Sequence, residues 1–100
     1  MLHIVNKSPF DRNSLQSCLR LAQPNDAILM YEDGIYAAFK GTVIENDIQT
    51  TLSKCKMYVL KPDFEARGMN EGNVIPGIQS VSYSEFVDLT VQYSPVQAWL

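Results

Sequence analysis

Cysteine, histidine and tryptophan are scarce in this 100-residue chain, which has two, one and one of them. The cysteines are Cys18 and Cys55, and their wide separation fits neither a metal-ligand spacing nor a Cys-x-x-Cys redox pair. No metal site and no cofactor are expected. The lone His3 lies in an apolar run without a second ligand in any recognisable motif, so it reads as structural. Long apolar runs are missing too: none approaches the ~20 residues of a membrane-spanning helix. The opening "MLHIVNKSPF" lacks the basic start, long apolar core and small-residue cleavage site of an export signal. A cytoplasmic chain with no membrane partner and two free thiols is therefore expected, because disulfides rarely persist in reducing compartments.

An excess of positive charge is also absent: 8 Lys and Arg stand against 11 Asp and Glu, for a net −3. A stand-alone nucleic-acid binder shows a basic face to phosphates, so direct nucleic-acid contact is not expected. Action on RNA within a larger complex stays open. "NKSPFDRNS" has none of the glycine spacing of a phosphate or dinucleotide loop. It also supplies no acidic cluster for a receiver-type site, although Asp63 offers an aspartate after a later strand. Asp33, in "EDG", reads as a turn residue.

What is present is a globular composition, 46% hydrophobic and 19% charged. One hundred residues suffice for one domain, 1–100, with its own core. Short apolar runs at 2–6, 27–32, 56–60 and 78–82 read as buried strands, and "SPVQAWL" at the end offers a fifth. Between them lie helical patterns. Residues 14–22 carry a stripe of Leu15, Cys18, Leu19 and Ala22, with Asn13 as N-cap and Gln16 placed for a capping box. Residues 44–54 carry Ile44, Ile48 and Leu52 at helical spacing. Pro62 opens and Gly68 closes a short helix, and 83–93 puts Phe86, Leu89 and Tyr93 on one side. "IYAAFK" at 35–40 suits either a short helix or an extended segment. Strands alternating with helices predict an α/β fold: a three-layer α/β/α domain with a mainly parallel, flavodoxin- or Rossmann-like sheet. Reactive groups are expected at the carboxyl ends of its strands, "NKSPF", "YEDG", "LKPD" and "VSYS".

Cys18 admits two readings. On the core-facing stripe it packs as a small hydrophobe. Within two turns of a helix N-terminus the backbone dipole favours a thiolate, although that influence fades beyond the first turn. Arg20, two positions along, does not share its face. Cys55 lies between two lysines in "SKCKM" and reads as a loop thiol without a function. The apolar end, with Val96, Trp99 and Leu100, must pack either on its own sheet or on a partner.

Taken together, "LHIVNKSPF", "LMYEDGIYAA", "YVLKPDFEARG" and "FVDLTVQYSPVQAWL" resemble the DsrH/TusB family of sulfur-relay subunits, over essentially the whole chain. The resemblance implies a DsrE/DsrF/DsrH-like α/β fold. It also implies a heterohexamer with DsrE- and DsrF-like, or TusD- and TusC-like, subunits that hands persulfide sulfur to a DsrC- or TusE-like acceptor. In the Tus branch sulfur reaches the wobble uridine of tRNA; in the Dsr branch it serves cytoplasmic sulfur oxidation. A cysteine at position 18, in the setting "NKSPF…RNSL…SC", points towards the DsrH branch. The resemblance makes Cys18 the candidate sulfur-carrying catalytic thiol, with the principal carrier expected on a partner subunit. The alternatives are a TusB-like role in tRNA thiolation or a non-catalytic structural subunit of either complex.

Overall fold

The computed structural model describes residues 1–100. Five short strands, β1 (Leu2–Val5), β2 (Ala27–Met30), β3 (Lys56–Leu60), β4 (Ile78–Val81) and β5 (Val96–Trp99), form one sheet. Every neighbouring pair is parallel, and the spatial order is β4-β3-β2-β1-β5. The helices are α1 (Ser14–Leu21), α2 (Glu45–Leu52), α3 (Lys61–Ala66) and α4 (Tyr83–Gln92). This is the expected α/β architecture.

Connection handedness accounts for the layers. From β1 to β4 each new strand is added on the same side of its predecessor, so right-handed crossovers place α1, α2 and α3 on one face. The chain then returns to the far side of β1, and α4 lands on the other face. The two cores record this asymmetry. The larger unites Leu15, Cys18, Ile48 and Phe64 with Val5, Ile28, Met30, Met57 and Val59. The smaller joins Leu2, Leu29, Tyr58, Leu60 and Val81 to Leu89, with Phe86 and Tyr93 packed against it. A single helix thus covers the second face.

Local chemistry sets the helix boundaries. The buried stripe of α1 is Leu15, Cys18 and Leu19, as the spacing predicts. Its start departs from expectation: Asn13 makes no side-chain cap bond, and Gln16 Nε2 instead donates to the Pro9 carbonyl. The helix stops at Ala22, whose extended backbone leads into Gln23-Pro24. In α4 a full capping box is present. Ser82 Oγ accepts from the Glu85 N–H, and the Glu85 carboxylate accepts from the Ser82 N–H. Pro62 opens α3, and Gly68 follows it at φ +67°. The ambiguous "IYAAFK" falls mostly within a 3₁₀ segment, Glu32–Ala38, which buries Gly34, Ile35, Ala37 and Ala38.

Candidate functional site

At the carboxyl ends of β2 and β3, the chain's own contacts engage Asp33 and Asp63. The Glu32 N–H donates to Asp63 Oδ2 at 2.7 Å, and Arg67 Nη2 and Nε donate to Asp33 Oδ1. Gly34 packs directly on the backbone of Val5. Asp33 is thus one half of an ion pair with Arg67, and Asp63 holds the turn after β2.

The two thiols lie elsewhere. Cys18 projects from α1 into the larger core with no exposed surface. Burial away from water disfavours its thiolate, and the nearby Cys55 and Asp26 oppose a further negative charge. Together they push its pKa up to about 12. Arg20 turns its guanidinium to Ser17 Oγ and does not serve Cys18. Cys55 sits in the segment entering β3 and is buried in the same core, with Sγ 3.2 Å from the Gln23 carbonyl oxygen. Burial raises its pKa as well, against the opposing influence of Lys54. Lys54 itself donates to the Ala22 carbonyl at 2.9 Å. In the folded chain neither thiol has the exposed, electropositive setting of a reactive cysteine.

At the amino ends of β1 and β2 is a cluster that sequence reasoning did not assemble. His3, 3% exposed, is flanked by Asp26 and Trp99. Its Nε2 lies 2.9 Å from Asp26 Oδ2, and its Nδ1 lies 3.1 Å from the Trp99 indole nitrogen. Asp26 also accepts from the Gln23 N–H and from the Met1 ammonium group. Desolvation raises the Asp26 pKa, but the Gln23, His3 and Met1 interactions outweigh it, so its pKa falls below the ordinary value. The parallel register pairs His3 with Ile28 on β2 and Gln97 on β5, so Asp26 and Trp99, each two positions from those partners, reach its ring diagonally from opposite ends.

Two surface features complete the picture. A hollow of about 290 Å³ beside β4 is lined mainly by Val59, Phe64, Val74, Ile75 and Ile78, with Glu71 and Ser80 at its polar side. On α4, Tyr83, Val87 and Val91 form an apolar i, i+4, i+8 stripe, 59%, 60% and 78% exposed. The only charged side chains of α4 are Glu85 and Asp88. No three His, Cys, Asp or Glu residues are grouped to hold a metal ion, and no helix is long and apolar enough to cross a membrane.

The family described as DsrH like protein matches residues 7–96. Among curated relatives, Protein TusB of Pectobacterium parmentieri is 37% identical over 99 residues, covering 99% of this chain and 100% of that protein. Protein TusB of Escherichia coli O81 is 34% identical with the same coverage. Among solved structures, the ychN protein of E. coli superposes with a TM-score of 0.83 at 19% identity, covering 97% of both chains. MTH1491 of Methanobacterium thermoautotrophicum, a protein of unknown function, gives 0.77 at 15% identity over 97% of this chain and 95% of its own. These two structures share the fold.

Proposed function

This chain belongs to the DsrH/TusB family, and we propose that it serves as a TusB-type subunit of a sulfur-relay complex supplying tRNA wobble-uridine thiolation. The observation that carries this reading is the full-length similarity, at 34–37% identity, to proteins named TusB. The tilt towards the sulfur-oxidation branch rested on Cys18. The burial of Cys18 supports a packing role for it, and on that reading its presence does not favour either branch.

The chain's contribution is to complete the complex and position the carrier on a partner subunit. A persulfide acceptor attacks as a thiolate, and Cys18 is shielded from both solvent and cations. The partners are TusC- and TusD-like subunits, with a TusE-like acceptor beyond them. The outer stripe of α4 is their docking surface. It is apolar along its length, with Asp88 beside it, which fits a partner face with an apolar centre.

The test is reconstitution with TusC- and TusD-like subunits, loading with a persulfide donor, and mass spectrometry of every cysteine. Sulfur on a partner cysteine alone, with Cys18→Ala transferring as well as the wild type, supports the positioning role. Sulfur on Cys18 that an acceptor removes makes this chain a carrier and overturns that role. Failure to assemble with these partners overturns the TusB-type assignment.

A further inference from the structure

The last strand is held to the first by a bond whose direction is fixed by chemistry. The indole nitrogen of Trp99 can only donate, so His3 Nδ1, 3.1 Å away, must accept. A neutral imidazole with an acceptor at Nδ1 carries its proton on Nε2, where Asp26 Oδ2 receives it at 2.9 Å. Trp99, Asp26 and the environment of His3 therefore select one neutral tautomer.

We propose that the Trp99–His3–Asp26 chain is a proton-operated latch on β5, closed while His3 is neutral and opened when His3 gains a second proton. That proton binds Nδ1 and turns it from acceptor to donor. Two N–H groups then face one another, and the Trp99 bond is lost. The Nε2–H to Asp26 bond survives and gains ionic character. Protonation thus loosens β5 while leaving β2 tied to β1.

The strand is built to respond. Val96, Gln97 and Ala98 are exposed, and Trp99 is its only half-buried residue. Apart from the β1 ladder, the Leu2 N–H bond to Pro95 O and the packing of the Trp99 ring against the larger core, the end of the chain is tied by Ser14 Oγ donating to the Leu100 carbonyl. The charged and titratable groups around His3 come from each neighbouring element. Asp26 approaches from the entrance to β2, and the Met1 ammonium lies on the other Asp26 oxygen. Cys18 on α1 and Cys55 before β3 feel the Asp26 charge, and burial keeps both neutral. None of these groups offers Trp99 a replacement acceptor.

His3 and Trp99 are the only histidine and tryptophan in the chain, so each signal reports one residue. The experiment follows Trp99 fluorescence, its indole N–H resonance and the His3 ring nitrogen resonances of the full chain from pH 8 to pH 5. Far-UV circular dichroism monitors the fold. The expected result is a one-proton transition shared by all three signals at constant helicity. The protection of β5 amides, taken relative to the intrinsic exchange rate at each pH, should fall about three- to tenfold, the worth of one hydrogen bond, while that of β3 is unchanged. His3→Gln can accept from Trp99 and donate to Asp26 without titrating, and should abolish the transition. Protonation of His3 with no response at Trp99, the same transition in His3→Gln, or a transition only on global unfolding would each overturn the latch. If His3→Gln does not fold, the wild-type ring resonances decide alone.

Discussion

Gly34 lies against the carbonyl of Val5 so closely that a Cβ at position 34 would overlap its oxygen. The contact seats the 3₁₀ segment Glu32–Ala38 on the carboxyl end of β1, beside the Tyr31 N–H bond to Val5 O at 3.0 Å. Both sides are backbone, so neither can swing away. Gly34→Ala should therefore cost at least about 2–3 kcal/mol and lower the melting temperature by about 10–20 °C. Gly41 supplies the contrast, since a Cβ there meets nothing but the backbone sits at φ +81°. Gly41→Ala should cost about 1–2 kcal/mol, from conformation alone. Equal losses in the two variants by thermal unfolding would reject the packing account of Gly34.

The sheet and the core stripe of α1 were legible because burial imposes a period on the sequence. Leu15, Cys18 and Leu19 face the core as their spacing requires. Asn13 and Gln16 have the residue types of a cap, but tertiary contact overrides the pattern, as Gln16 bonds to Pro9 instead. The working capping box, Ser82 with Glu85, is written in the sequence as S-x-x-E ahead of an apolar helix. His3, Asp26 and Trp99 could not be joined from sequence. Their meeting depends on strand order and register, which local patterns do not encode.

The setting of Cys18 predicts chemical silence. With its pKa pushed up to about 12, roughly one molecule in ten thousand carries the thiolate at pH 8. Iodoacetamide at pH 8 should leave Cys18 unmodified in the native chain over a time that fully labels it in urea. Cys55 is also buried but borders a surface hollow with Lys54 and Lys56, so it should label first. Peptide mapping by mass spectrometry distinguishes the sites. Rapid native labelling of Cys18 would remove the packing role. Cys18→Ala should destabilise the chain by about 1–2 kcal/mol, the cost of a small buried void.

Asp26 gives a pH dependence whose sign follows from its lowered pKa. Its folded-state pKa lies below the ordinary value of 3.8. The stability it contributes is therefore complete above that value and is lost as pH falls through the folded-state pKa. Asp26→Asn weakens bonds to Gln23, His3 and Met1 at neutral pH, and should cost about 1–3 kcal/mol there. The difference between wild type and Asp26→Asn should shrink steadily from pH 5 towards pH 2. Urea unfolding at several pH values measures it. A difference that grows between pH 5 and pH 2 would refute the assignment.

The stripe on α4 separates assembly from folding. Val87 and Val91 point to solvent, so replacing both with lysine removes no core contact, and lysine is a good helix former. The stability of the isolated Val87→Lys/Val91→Lys chain should stay within about 0.5 kcal/mol of wild type per site. If TusC- or TusD-like partners dock on this stripe, the same change buries two unpaired cations in an apolar interface. Affinity should then fall at least about tenfold. Val43, 94% exposed and away from α4, provides the control, and Val43→Lys should assemble normally. Size-exclusion chromatography of reconstituted complexes reads all three. Normal assembly of the α4 variant beside an intact wild-type complex would move the docking surface elsewhere, with the open edge of β5 next to be tested. Loss of assembly in both variants would instead mean that added charge, rather than the α4 face, disturbs the complex.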